Sequence, residues 1–263
     1  MELNLSQLAL RLTALRLEME RRQPASAATV NFSLPGLVLK SNPAAVSPFP
    51  SRNQNEVQIL ETGARVNPPA LIDYYQSRGV TLFNVWIDPL PTAAALVGDL
   101  LAAGFQRFEG TTYPVLVRLP APAPLPPCDF ALRHLDPATD AEAVSCYGDE
   151  TAQGNFRETL GREGFDHFAA FHEGRPVATG RMFTHQGLSY LNDGGTLENF
   201  RNRGAQSALI STRVNRAMEL RSELCIVQTL AFLGTSLGNL RRGGFQPVYE
   251  RIVYSWNAAE PVN

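Results

Sequence analysis

Thr196-Leu-Glu-Asn-Phe-Arg-Asn-Arg-Gly-Ala-Gln-Ser-Ala-Leu209 is the stretch on which the reading of this 263-residue chain turns. A strand is expected to end near Thr196, a polar turn carries Arg201, Arg203 and Gly204, and a helix starts at about Ala205. Ile210, Val214, Ala217 and Met218 then share one helical face. Successive backbone N–H groups at such a turn, added to the positive end of the helix dipole, suit phosphate oxygens. Gly204 permits close backbone approach and a φ that other residues resist, and Arg201 and Arg203 offer charge-assisted bonds to an anion. Taken alone, the segment equally describes a capped helix on a basic surface turn.

Downstream, Leu224 to Leu230 reads as a buried strand. A short helix over Ser236 to Arg242 ends at Gly243-Gly244, and two extended runs follow, Phe245 to Glu250 and Ile252 to Trp256. Upstream, Asp166 to Phe171, Val177 to His185 and Leu188 to Asn192 form an antiparallel meander around two turns, Glu173-Gly174-Arg175-Pro176 and Gln186-Gly187. Helices are predicted over 136–147 and 155–163, with Asp149-Glu150-Thr151 in the loop between them.

Pro120-Ala-Pro-Ala-Pro-Leu-Pro-Pro127 holds five of the 19 prolines and reads as an extended linker without the backbone donors of a helix or central strand. It divides the chain into domains 1–119 and 128–263, each long enough for a core. In the first, Ala70 to Arg78 and Thr92 to Ala103 are predicted helices, with strands at Val80 to Ile87 and Thr111 to Leu119. LLAAGFQ at 100–106 and LRRGGFQ at 240–246 both place Gly-Phe-Gln between a helix and closing strands, so one fold is expected twice. Leu5, Leu8, Leu12, Leu15 and Met19 mark an N-terminal amphipathic helix, interrupted by Arg11, Arg16 and Glu18 and lacking the cleavage site of a signal peptide.

A net charge of −2 with 44% hydrophobic and 18% charged residues describes a globular chain with no basic excess for nucleic acid or an anionic membrane surface. No apolar run spans a bilayer, and a cytoplasmic location is the default expectation. Cys128, Cys146 and Cys225 show no metal-site spacing; Cys146 and Cys225 are expected as core thiols. No metal is expected.

The 196–209 segment resembles the acetyl-coenzyme A loop of the GCN5-related N-acetyltransferase (GNAT) superfamily: Arg or Gln, two residues, Gly, one residue, then Gly or Ala. Arg201 and Gly204 match, and Gln206 stands at the third position. Gly238-Asn239-Leu-Arg-Arg-Gly-Gly-Phe245 is similar to the later motif of the family, and the resemblance covers nearly all of 128–263. It implies an α/β (α+β) protein of two tandem GNAT-like domains, each a mixed, largely antiparallel twisted sheet flanked by helices. It also implies a splay between the strands ending near Thr196 and beginning near Thr229, in which the pantetheine arm of acetyl-CoA lies. Gly195, Thr196 and Leu197 would face pantetheine and thioester, a backbone N–H at Leu197 or Thr196 serving as oxyanion donor. Arg201, Asn202, Arg203, Gly204, Ala205, Gln206 and Ser207 would surround the pyrophosphate, with Asn239 near the cofactor arm.

The implied chemistry is direct attack of a primary amine on the thioester. The tyrosine that the family often places four residues before the Gly of Gly-Phe is Leu240 here, so Tyr249, or Ser236 near the start of its helix, is the substitute acid. Asp149, Glu150, Asp193 and Glu198 are candidate bases, with Glu150 and Asp193 preferred. His167, His172 and His185 are read as ordinary polar-face residues. The first half, with Glu61-Thr-Gly-Ala-Arg-Val-Asn-Pro-Pro69 at the loop position, is expected to be a degenerate copy that binds no cofactor, since Pro68 and Pro69 remove amide donors. The expected partner is a small-molecule or peptide amine, with no nucleic acid and no membrane; a homodimer is left open. Rival readings are a non-catalytic coenzyme A or acyl-coenzyme A binding module and a structural protein without ligand. A bulky residue at Gly204 is expected to abolish cofactor binding under the first two and to change nothing under the third.

Overall fold

A computed structural model describes residues 4–23, 30–140, 146 and 150–259. In chain order these form α1 (Leu5–Arg22), β1 (Val30–Leu34), β2 (Leu37–Ser41), β3 (Glu56–Ile59), α2 (Pro68–Gln76), β4 (Leu82–Ile87), α3 (Ala93–Ala102) and β5 (Gln106–Arg107). They continue with β6 (Tyr113–Arg118), β7 (Ala131–His134), α4 (Glu150–Glu158), β8 (Phe165–His172), β9 (Arg175–His185), β10 (Leu188–Thr196), α5 (Ala205–Glu219), β11 (Leu224–Gln228), α6 (Gly234–Arg242) and β12 (Gln246–Asn257). The two closing runs are thus one strand, β12. The helix predicted over 136–147 falls largely outside the described residues, as does Asp149; up to Asp140 the chain is a turn, with the Asp136 side chain accepting from the Ala138 N–H at 2.8 Å.

The chain divides into two compact units, but not at the proline run. Residues 1–17, 25–113 and 249–263 form one, and residues 18–24 and 114–248 the other. Strand pairing gives the reason. β6, assigned by sequence to the first half, lies antiparallel to β11 of the second, with Val117 opposite Ile226. The last strand crosses the other way: Ile252 to Asn257 of β12 pair with β4, Tyr254 opposite Val85. Residues 120–127 are therefore not an inter-domain linker. They lie against α5, where Asn215 donates to the Ala123 carbonyl at 2.9 Å and accepts its N–H at 2.8 Å.

In the first unit β1, β2 and β3 form an antiparallel meander, β3 runs parallel to β4, and β4 is antiparallel to β12. Alternation along each strand divides the side chains between two faces. Leu39, Val57, Phe83, Val85 and Tyr254 share an apolar cluster with Leu71 and Tyr75 of α2 and Leu100 of α3. Among the residues between them, Lys40, Glu56, Gln58, Asn84, Asp88 and Arg251 are buried as well. Glu56 accepts from Lys40 at 2.8 Å and from the Trp86 indole. Burial alone would push the Glu56 pKa up; the charges of Lys40 and Arg16 outweigh it and hold the carboxyl at about 2.

In the second unit β8 to β10 are successively antiparallel, as the meander predicts; β7, which the sequence reading did not anticipate, adds antiparallel to β8, and β10 is parallel to β11. Helix α5 packs Leu209, Ile210, Val214 and Ala217 into the core, whereas Met218, predicted to share that face, is 39% exposed.

Candidate functional site

β10 and β11 pair only from Leu188↔Leu224 to Tyr190↔Ile226. Beyond that point β10 stays with β9, through Gly195↔Thr179 and Thr196↔Ala178, while Val227 and Gln228 of β11 stay with β6. The ladder between β10 and β11 therefore ends at Tyr190 and Ile226, and each strand continues with its other neighbour. A bulge follows between Asn192 and Gly195, where Asp193 takes a φ of +48°.

The Leu197 N–H, one of the two expected oxyanion donors, donates to the Val177 carbonyl at 2.9 Å and is committed to the sheet. Antiparallel pairing alternates, so the N–H and C=O of Thr196 face away from β9; the carbonyl accepts from Arg201 Nε at 3.4 Å. Thr196 Oγ1 is buried and has no hydrogen-bond partner among the described residues.

From Thr196 the chain makes a short 3-10 turn, Glu198–Phe200, passes Asn202 at φ +61° and Gly204 at φ +82°, and enters α5 with no side chain capping it. The first-turn amides are those that a side-chain cap would otherwise engage. Ala205 is buried, Ser207 is half-buried and Asn202 is exposed. Arg201 is exposed, with Glu198 at 4.0 Å. Arg203 bonds Asp129 at 3.2 Å and lies over the rings of Phe130 and Phe200, at 4.7 and 5.8 Å. Gln206 turns inward, donating to the Gly195 carbonyl at 2.6 Å and the Thr179 carbonyl at 3.2 Å, so the departure from the small third position ties α5 to the end of β10.

Gly204 has a second requirement: a Cβ there would stand 2.5 Å from the Pro127 carbonyl oxygen. A bulky residue at 204 disrupts the chain whether or not a ligand binds, which corrects the expectation that this substitution separates the rival readings.

The acid–base candidates are not gathered into one cluster among the described residues. The Asp193 carboxylate bonds Arg181 at 2.6 Å. Glu150 opens α4, and Tyr249 is half-buried in the part of β12 that belongs to the first unit. Leu240, at the usual tyrosine position, is core. Asn239 accepts from Arg242 at 2.6 Å on α6, and Ser236 Oγ lies 3.2 Å from Thr229 Oγ1, at the end of β11. His167 is buried with Nε2 3.0 Å from Thr159 Oγ1; burial, then the Arg181 charge, push its pKa down to about 3. His172 packs on the ring of Phe200 at 5.3 Å. Burial raises the Cys146 thiol and pushes Cys225 up to about 12, away from nucleophilic use. Among the described residues no group of three metal-ligating side chains occurs and no helix is long and apolar enough to cross a membrane.

Sequence reasoning missed Arg181 on β9 and Arg213 on α5, both buried. The signals were Gly180 inside an otherwise regular strand and an arginine on the apolar stripe of α5, between Ile210 and Ala217.

The parallel strand pair of the first unit, β3 and β4, is joined at Glu56↔Asn84 and Val57↔Val85. Helix α2 starts with Pro68 and Pro69, and Asn67 caps it by accepting from the Ala70 N–H at 3.3 Å. Arg251 donates to both oxygens of Asp88, beyond the end of β4, at 2.8 and 2.9 Å, and to Gln58 of β3 at 3.2 Å. The two Gly-Phe corners share one bonding scheme. Phe105 N–H reaches the Leu100 carbonyl and Phe245 N–H the Leu240 carbonyl, both at 3.0 Å, after Gly104 and Gly244 at φ +87° and +84°.

Comparison with solved structures identifies the fold. A GCN5-related N-acetyltransferase from Kribbella flavida superposes with a TM-score of 0.65 at 15% identity, over 94% of this chain and 95% of that one. A tandem GNAT protein from the clavulanic acid biosynthesis pathway gives 0.62 at 16% identity, over 98% and 96%. A GCN5-related N-acetyltransferase from Sphaerobacter thermophilus gives 0.60 at 14%, over 87% and 82%. No protein-family model matches the sequence, and no curated protein matches it. The chain thus has the GNAT fold: mixed, largely antiparallel sheets flanked by helices.

Proposed function

We propose that this protein is an N-acetyltransferase that uses acetyl-CoA and acts on a primary amine of a small molecule or peptide, with its active site in the second unit. The observation that carries this reading is the end of the ladder between β10 and β11 ahead of the buried Thr196 hydroxyl, which has no partner among the described residues, followed by a helix with an uncapped N-terminus. These features fit a pantetheine arm and a diphosphate.

When bound, acetyl-CoA supplies the acetyl group as a thioester: the amine nitrogen forms the new C–N bond, the C–S bond breaks, and the amine proton leaves as the thiolate takes one up. Gly195 and Thr196 would border the arm, with the outward Thr196 N–H in place of Leu197 as the donor for developing carbonyl charge. Arg201, Asn202, Gly204, Ala205 and Ser207 would hold the diphosphate, Arg203 once it turns from Asp129, and Asn239 would border the arm from α6. Glu150 remains the proposed base, and Ser236 on α6 of the same unit the proposed acid, since Tyr249 belongs to the first unit. The first unit is proposed to be a degenerate copy without cofactor. Its matching topology and Gly-Phe corner support a shared origin, and the proline-blocked α2 and the Arg251 bridge between Gln58 and Asp88 support loss of the site.

Isothermal calorimetry with acetyl-CoA, joined to a thiol-release assay over an amine panel, tests the proposal. One acetyl-CoA per chain and turnover on at least one amine are expected; no binding would refute it, and two per chain would refute the degenerate first unit. Leu240 at the usual tyrosine position favours a second reading, a non-catalytic acyl-CoA binding module, for which binding persists and no amine is turned over.

A further inference from the structure

The opening beside β10 depends on the course of that strand after its last pairing with β11 at Tyr190, and the bulge at Asp193 and Gly194 follows within three residues. Arg213 reaches the bulge from the α5 face. It is 3% exposed and donates through Nη1 to the carbonyls of Arg181 and Asn192, both at 3.2 Å, and through Nε to that of Leu209 at 3.1 Å. Its guanidinium lies over Gly180, where a Cβ would stand 2.8 Å from the guanidinium carbon. Arg181 projects on the opposite face, since neighbouring strand residues alternate. It bonds the Asp193 carboxylate at 2.6 Å and Thr159 Oγ1 at 3.0 Å. Asp193, in the left-handed region, is the carboxylate whose charge acts on both arginines.

We propose that Arg181 and Arg213 are positioning residues that clamp the β10 bulge from both faces of the sheet, Arg181 through the Asp193 carboxylate and Arg213 through the backbone carbonyls of Arg181 and Asn192, and so set the opening for the pantetheine arm. Asp193 belongs to this clamp and is not the base that takes the amine proton. The inference rests on the acetyl-CoA reading above. A lysine at 213 keeps the charge but lacks the planar fork that holds several carbonyls in fixed geometry. An alanine at Gly180 keeps both arginines and lifts Arg213 off the strand.

The test joins two measurements on the full chain carrying Arg213→Lys, Gly180→Ala or Asp193→Asn. One is amide hydrogen exchange at Leu197, bonded to Val177 just past the bulge, with Thr184, bonded to Gly164 at the far end of β9, as control. The other is acetyl-CoA affinity by calorimetry. Leu197 is expected to exchange at least tenfold faster with Thr184 unchanged, and acetyl-CoA to bind at least tenfold more weakly in all three variants. A base at 193 would instead leave affinity intact in Asp193→Asn. Unchanged Leu197 exchange in Gly180→Ala, or affinity within twofold of the parent despite faster exchange, overturns the proposal. Should the parent itself fail to bind acetyl-CoA, the functional reading falls, while the exchange ratio still decides whether the clamp exists.

Discussion

His167 offers a test of how the second unit is built, because its burial converts directly into a dependence of stability on pH. The ring is 1% exposed on β8, with Phe156 packed edge-on at 4.6 Å and Thr159 at Nε2. Its pKa is pushed down from 6.5 to about 3, by burial first and the Arg181 charge second. The unfolded chain takes up a proton near pH 6.5, and the folded chain takes it up only near 3. Stability is therefore intact above pH 6.5 and declines as pH falls through the window down to about 3. Each pH unit is worth about 1.4 kcal/mol, so at pH 5 the loss is about 2 kcal/mol. For a unit of this size that lowers Tm by roughly 4–8 °C. His167→Gln retains a hydrogen-bonding group towards Thr159 and cannot titrate. Urea unfolding by circular dichroism at pH 7 and pH 5 should show the parent losing about 2 kcal/mol more than this variant. Every other titratable group is common to parent and variant, so the difference between their pH slopes isolates His167. Equal pH slopes in parent and variant would refute the account of His167 as a buried neutral ring.

Other expectations follow from the same structure. Glu56→Gln leaves Lys40 buried without its carboxylate and should destabilise the first unit by about 3–5 kcal/mol, with altered fluorescence from Trp86, whose indole donates to Glu56; the Lys40→Met/Glu56→Met pair should recover most of the loss in urea titrations. Asn215→Ala removes both bonds that hold Ala123 and should cost about 1–3 kcal/mol, with faster proteolysis within 120–127. Gly204→Ala should lower Tm even without ligand, because it meets the Pro127 carbonyl at a left-handed φ; an unchanged Tm would contradict the close approach.

Most elements of the second half were legible because hydrophobic period and glycine punctuation coincide there. The meander, α5, β11 and the Gly-Phe corner fall within a few residues of the expected bounds. The exchange of β6 and β12 was not legible, since a strand pattern specifies a pleated, half-buried segment and not which neighbour it pairs with. The proline run misled for a related reason: missing donors exclude a helix or a central strand, yet an extended segment can still lie along a helix. At the candidate site, the sequence pattern pointed to Gly204 and the start of α5. It could not show that Leu197 is committed to Val177, that Gln206 folds back onto Gly195, or that Asp193 is anchored by Arg181. Each depends on long-range geometry at one bulge.

The exchange of strands also bears on how such a chain can evolve. Deleting the first half would remove β6 and expose the backbone edge of β11, and deleting the second would strip β4 of its antiparallel neighbour. Bare strand edges of this kind invite aggregation. Neither half can therefore be pruned from the gene without baring a strand, and expression of either fragment alone should give insoluble protein. Loops can vary in such a chain, whereas the pairing registers of β6 with β11 and of β12 with β4 hold its strand edges covered.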